Sequence, residues 1–390
     1  MNIRKVKKPD ARVDVRYVAQ LGIKSYVADN LYPQTVSDII DASPTGSECL
    51  DRYARFIEGN GFESPDFAAL VLNHAGETAD DVCALTAADL ARYGGFALHV
   101  NYNMLGEITE VQHVPFESLR LCEDDDAGYI AAVFYHPDWR GKRTRSGKTM
   151  RVNTDNVVKF PLFNPRPEVV AEQIAAVGGI EHYKGQVLYA GGTVGSIYPK
   201  PKYDPALTEL STDEGLSNVK FRNVRNNFLT AAILYSRKPM AMDGGNGDWP
   251  GSGYSDELAM FQGDETALNI LEIELDAGEE KPELESFPTK NFDKDFTATE
   301  QSVVERIYSV FEQEPFLAIR NGKLGFSGDV IQDAYNYYSA ICGKERRTVE
   351  RAFSVVMQHW FGGGAWDCTI QPLVFSTEDK TTINDTIIAK

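Results

Sequence analysis

The alternation of apolar and polar positions divides the chain into a first part that mixes helices with strands and a second part dominated by long helices. In "SPTGSECLDRYARFIEGN", Ser43 stands at a helix N-cap position with Pro44 behind it. Cys49, Tyr53, Phe56 and Ile57 then recur on one face. "GGFALHVNYNMLGEITEVQHVPFESLRL" alternates on either side of "NMLGE" and predicts a hairpin. "YIAAVFYHP" and "NVVKFPLF" predict further strands of the same sheet. "NPRPEVVAEQIAAVGG" predicts a short glycine-capped helix, and "QVLYAGG" one more strand.

The pattern changes at Asp204. "DPALTELSTDEGLSNVKFRNVRNNF" predicts a long helix with Asp204 as N-cap, Pro205 behind it and Gly215 as its sole breaker. Its polar content is too high for the core of a globule. Next come a strand ("TAAILYS"), a glycine-rich linker ("DGGNGDWPGSG"), a short helix ("YSDELAMFQ") and a strand ("ALNILEIEL"). A second long helix, "NFDKDFTATEQSVVERIYSVFEQE", carries Phe292, Phe296, Val303, Ile307 and Phe311 on its apolar face. Pro315 is expected to stop it. "DVIQDAYNYYSAICGKERRTVERAFSVVMQHW" then predicts one helix of roughly 48 Å, with Gly343 as a point for a kink. "AWDCTIQPLVFS" predicts a closing strand. There is no internal repeat.

Composition adds constraints. The 390 residues are 43% hydrophobic and 25% charged. That is ordinary globular content, and the length suits two or three compact units. No apolar run reaches the length of a membrane span, and the basic N-terminus lacks the apolar core of a signal peptide. The five cysteines are odd in number and far apart. This predicts free buried thiols and maturation in a reducing cytoplasm. A formal net charge of −18 argues against holding nucleic acid by bulk positive charge, while allowing a protein that surrounds DNA without gripping it. The charge is uneven. Six basic residues fall between Arg140 and Arg151, at the tip of a predicted hairpin, as a solvated turn or a contact for an anionic partner. Arg320 and Lys323 stand among glycines in "RNGKLG", between two long helices.

Motifs for catalysis are weak. "GGTVGS" lacks the lysine of a phosphate-binding loop, and the histidines show no helical pair with a glutamate between them. "EDDDAG" lacks the spacing of a calcium loop and reads as a solvated turn between strands. No nucleophile elbow occurs, and no carboxylate pair is singled out. The expectation is therefore a non-enzyme without cofactor, metal or catalytic residue.

The order of elements in the second half resembles the portal proteins of tailed bacteriophages. So do "NLYPQTVSDIIDASPTGSECLDRYARFIEGNGF", "GGFALHVNYNMLGEITEVQHVPFESLRL", "FDKDFTATEQSVVERIYSVFEQEPFLAI" and "DAYNYYSAICGKERRTVERAF". The resemblance covers nearly the whole chain and rests on many segments in order, without a short invariant motif. It implies an α+β portal-type fold. Residues 1–204 would be the N-terminal part of an α/β wing, 205–228 the first stem helix, 229–286 a small α/β clip and 287–314 the second stem helix. Residues 315–328 would form the tunnel loop, and 329–390 the wing helix and C-terminal strand, with a crown that is minimal or missing.

The implied function is a ring, usually dodecameric, at one capsid vertex of the virion, assembled in the host cytoplasm. It would serve as the DNA channel for genome packaging and ejection, and as docking platform for terminase and the head–tail connector. The implied partners are further copies of the chain, the major capsid protein, terminase, the connector and double-stranded DNA contacted without sequence preference; no membrane is involved. The alternative is a ring-forming head–tail adaptor that is not the packaging channel. On this resemblance Arg320, Asn321 and Lys323 face DNA from the tunnel loop. Ile233, Leu234, Leu271 and Ile273 join neighbouring clips, and Glu279 and Glu280 are docking acids. A dodecamer would carry roughly two hundred negative charges, which repel DNA from the wall and leave a few loop cations for transient contact.

Overall fold

The structure, a computed structural model, describes residues 21–27, 29–140, 152, 154–191, 197–225, 232–237, 262–263, 266–267, 270–275, 292–323 and 328–375; between 222 and 295 it describes backbone alone. The predicted helix at "YSDELAMFQ", the linker before it, the "GGTVGS" loop beyond Gly191, the basic run after Arg140, and Glu279 and Glu280 lie outside the described residues or nearly so. The fold is α+β, and the chain divides into two compact units, residues 1–211 with 304–390 and residues 212–303.

The first unit opens with helices α1 (Tyr32–Ala42) and α2 (Pro44–Glu58). Ser43 caps α2 as its sequence predicts, its side chain accepting from the Gly46 N–H at 3.0 Å. Cys49, Tyr53, Phe56 and Ile57 are buried. After the single turn α3 (Pro65–Ala68), α4 (Ala79–Tyr93) begins in a reciprocal cap between Thr78 and Asp81. It ends on Gly94, whose φ of 74° is left-handed. The predicted hairpin is strands β1 (Gly95–Tyr102) and β2 (Ile108–Val114), with Val100 opposite Val111.

Next come β3 (Leu119–Leu121), β4 (Ala132–Tyr135), β5 (Val158–Pro161), helix α5 (Pro167–Ala176) and β6 (Gln186–Gly191). One sheet has the order β2–β1–β6 and a second the order β3–β4–β5, all antiparallel. The expectation of a single sheet is therefore corrected. The β2 edge is met by Leu72, whose carbonyl accepts from Val111, while the chain just beyond β5 meets β6 in an isolated parallel bridge, Leu162 with Val187, that does not extend into a ladder. Arg120 on β3 is fully buried. Its guanidinium donates to Asn30, Gln34, Glu117 and Leu119 and lies 4.9 Å from the Trp139 ring centroid.

Helix α6 (Leu207–Arg225) leaves the first unit, and α7 (Phe292–Val310) returns to it. Asp204 is not the cap of α6. It starts a 3₁₀ turn, Asp204–Ala206, and its carboxylate instead takes the Tyr32 hydroxyl and, at 3.3 Å, the Lys200 ammonium. Within the second unit, β7 (Ala232–Arg237), β8 (Gln262–Gly263), β9 (Thr266–Ala267) and β10 (Ile270–Leu275) form two small pairs. β10 lies parallel to β7, and β8 antiparallel to β9. Lys220 on α6 pairs with Glu300 on α7 in this unit, and in the first unit Arg306 meets Glu209 at 3.0 Å.

The chain then makes α8 (Glu314–Arg320), α9 (Gly328–Ile341) and α10 (Gly343–Met357). Two expectations are corrected here. Residues 314–320 are helical, because Pro315 sits in the first turn, where its missing N–H costs nothing. The long helix is two helices, broken at Cys342. Arg346, one turn beyond, reaches back inside with donors to the Ser339 carbonyl at 2.5 Å and that of Phe56 at 2.9 Å. Finally, "AWDCTIQPLVFS" makes one bridge, Phe62 with Ile370, in place of a strand. Residues 60–63 trade three backbone bonds with residues 369–371, and Pro372 has no N–H to continue the ladder.

Candidate functional site

The corner between α7 and α8 is built around Gln313. Helix α7 ends at Val310, and Phe311, fully buried, lies against Tyr53 at 6.1 Å and Tyr203 at 5.8 Å between ring centroids. Glu312 takes φ 57°, and this turns the chain sharply. Such a value is unusual for a side-chain-bearing residue. The turn drives Gln313 inward. Its Nε2 donates to the Cys49 carbonyl and the Tyr338 hydroxyl, both at 2.8 Å, and its Oε1 accepts from Arg52 Nη1 at 2.7 Å. All of its amide's polar atoms are thus engaged, as burial demands.

Helix α8 is anchored by Phe316, whose ring meets Phe56, Tyr335 and Tyr338 at 5.6–6.0 Å. The Arg52 guanidinium lies 4.9 Å from the centroid of that ring, a cation–π contact. At the end of α8, Arg320 Nη1 donates to Glu48 Oε2 at 3.0 Å and to the Tyr308 hydroxyl at 3.2 Å. Tyr308 first, and then Glu48, push the Arg320 pKa up. Glu48 also accepts from Arg52 Nη2 at 2.7 Å. One carboxylate thus serves two guanidiniums, while Glu312 pairs with Lys202 at 2.8 Å and Glu314 is exposed. The Arg320 side chain is 59% exposed.

Beyond Arg320 the helix unwinds in three residues. The Asn321 N–H returns to the Leu317 carbonyl at 2.9 Å, Gly322 takes φ 68°, and the Lys323 N–H closes on the Ala318 carbonyl at 2.9 Å. Asn321 and Lys323 are exposed. The structure therefore places Arg320, Asn321 and Lys323 together on the outer turn of one corner, with Arg320 tied to α2 and to α7. Of this corner, Glu48 and Arg52 are legible as an i, i+4 pair. Nothing in the sequence points to Gln313 or Tyr308.

In the second unit, Ile233 stands opposite Leu271, Leu234 opposite Glu272 and Tyr235 opposite Ile273, in parallel register. The four residues expected at a contact between copies thus share one two-stranded ladder. Among the described residues this pair has no third strand.

Other titratable groups are engaged locally. Glu110 accepts from His74, from Asn101 at 2.8 Å and from Gln112 at 3.0 Å. Burial works to raise its pKa, but these bonds hold it down at about 2. His113 Nε2 lies 2.7 Å from Asp89 Oδ2. No group of side chains fit to hold a metal ion occurs among the described residues. None of their helices is long and apolar enough to cross a membrane. The arrangement can offer weak cationic contact at the corner and backbone hydrogen bonds at the ladder.

No protein-family model and no curated protein matches the chain. Among solved structures, a chain of the virion of a native gene transfer agent particle aligns at 13% identity and a TM-score of 0.45, over 92% of this chain and 88% of that one. A chain from the neck of the native particle, computed with C12 symmetry, aligns at 13% identity and 0.46, over 92% and 89%. One from the neck of the empty particle, computed with C6 symmetry, aligns at 12% and 0.46, over 92% and 90%. At that level of superposition the likeness assigns no function.

Proposed function

We propose that the chain is the subunit of a ring-shaped portal at one vertex of a virus-like particle, through which duplex DNA is packaged and released. On this reading the ring is a dodecamer that docks terminase, the capsid protein and the head–tail connector, and none of its residues is catalytic. The observation that carries the reading is the order of elements from 207 to 357. A polar helix leaves the first unit, a small unit with a parallel strand pair follows, and a second helix returns. A tight corner bearing Arg320 and Lys323 then leads to two further helices. This is the order that the sequence resemblance implies for stem, clip, stem, tunnel loop and wing helix.

Energetics lend support. A two-stranded sheet is marginal alone, and parallel pairs are normally buried on both faces, so the β7–β10 pair suits a site completed by a neighbouring copy. The experiment is negative-stain imaging of the purified chain. Rings whose central hole admits a duplex are expected. Rings too narrow or far too wide for a duplex would make the protein an adaptor, and a monomer at all concentrations would overturn the reading.

A further inference from the structure

We infer that the outward face of α10 is a contact surface for the phosphate backbone of duplex DNA, centred on Lys344, Arg347 and Arg351. All three side chains are exposed, and among the described residues none has an ion-pair partner. They recur at intervals of three and four residues. On a helix that spacing makes a single stripe about 10 Å long. The acids of the helix are turned the other way. Glu350 accepts the Ile370 N–H at 2.9 Å, and the charge of Glu345 acts on the buried Tyr53 and Cys342. Three of the helix's four cations are thus exposed, while Arg346 is buried and both carboxylates are half-buried.

Folding gives no reason for this arrangement. Arg347 and Arg351 are an i, i+4 pair of like charge, which destabilises a helix. The third arginine, Arg346, already supplies the buried contacts to Phe56 and Ser339. In a chain of net charge −18, three uncompensated cations on one face call for an anionic partner. The surroundings favour phosphate over a protein surface. Gln358, exposed at the end of the helix seven positions after Arg351, adds on the same side a hydrogen-bonding group of the kind that binds phosphate and sugar. Beside the stripe the helix exposes one large apolar side chain, Val355 at 36%, too little for the apolar centre that protein interfaces bury. Arginine in addition forks onto phosphate oxygens.

This inference deepens the channel reading and takes from it the duplex as the polyanion. The test is fluorescence anisotropy of a labelled duplex of about thirty base pairs with the full chain, titrated between about 50 and 200 mM salt. Arg347→Glu with Arg351→Glu is compared with Arg166→Glu with Lys184→Glu, which makes the same charge change at other exposed positions. The stripe variant is expected to bind at least about tenfold more weakly, with the slope of log affinity against log salt smaller by about two, while the control pair matches wild type.

Equal losses in both variants would reduce the effect to net charge and overturn the inference. So would wild-type affinity in the stripe variant, or no binding by the wild type at about 50 mM salt. Unchanged DNA affinity together with altered sedimentation would assign the stripe to a protein contact. A chain that fails to form rings but loses DNA affinity through the stripe variant alone would sink the channel reading and leave this one standing.

Discussion

Gln313 and Arg320 sit seven residues apart at the same corner, and their expected contributions differ widely. Gln313 makes three hydrogen bonds in the interior, and Gln313→Ala removes all three. A loss of about 2–3 kcal/mol is expected in urea unfolding, from three buried bonds lost together, one of them to a charged group. Arg320→Ala removes a largely exposed contact with Glu48 and Tyr308. It should cost no more than about 1 kcal/mol. A Gln313→Ala variant as stable as wild type would show that the corner is not set by that side chain. The sequence places Arg320 in a loop, whereas it ends a helix and is held by Glu48 and Tyr308. Gln313 was not legible there, because a buried glutamine is defined by partners from α2 and α9, far away along the chain.

At the scale of elements, one turn design recurs three times, at Asn73–Glu77, Asn103–Glu107 and Asp125–Tyr129. In each, the side-chain oxygen of the first residue accepts from the N–H groups two and four positions on, at 2.8–3.2 Å. Asparagine and aspartate favour turns for this reason. The fourth residue is a glycine at φ 84°, 79° or 82°. Gly106 and Gly128 have open space where a Cβ would stand. Alanine at either should therefore cost about 1 kcal/mol of backbone strain and no more. At Gly59, φ is 67° and a Cβ would lie 2.2 Å from the Gln371 carbonyl oxygen. Gly59→Ala should cost over about 3 kcal/mol and loosen the tie to residues 369–371, read from urea midpoints and hydrogen exchange. Equal costs at Gly59 and Gly106 would rule that out.

The local signals served best for these elements. Ser43 with Pro44, and the alternation around "NMLGE", predict a helix start and a hairpin that the fold contains. The failures were decided by neighbours. The strands fall into two sheets linked by an isolated bridge between Leu162 and Val187, the long helix divides at Cys342 beside the expected kink point Gly343, and Asp204 gives its carboxylate to Tyr32 and Lys200.

At the scale of the whole molecule, the second unit is an insertion carried on α6 and α7, and on the proposed reading its β7–β10 pair is the piece that another copy would complete. In a parallel strand, neighbouring residues turn their N–H groups to opposite sides. Of Leu271→Pro and Glu272→Pro, one therefore strikes the ladder to β7 and the other strikes the outer edge. The first is expected to disturb the second unit itself, seen by hydrogen exchange. The second should keep the chain folded yet reduce ring yield in negative stain. Full ring yield from both would mean that copies do not join through this strand.

The insertion also has a consequence for synthesis. The first unit is made of residues 1–211 and 304–390, so its two parts leave the ribosome separated by the whole second unit. Phe56 packs on Phe316 and Tyr338, while Phe62 and Phe67 pack on Phe353. These aromatic side chains wait for partners until nearly all of the chain has been translated, while the second unit emerges complete in between. A nascent chain halted after α7 therefore presents its strand edges before its own aromatic core has closed, the kind of partly folded state in which copies on neighbouring ribosomes can pair wrongly.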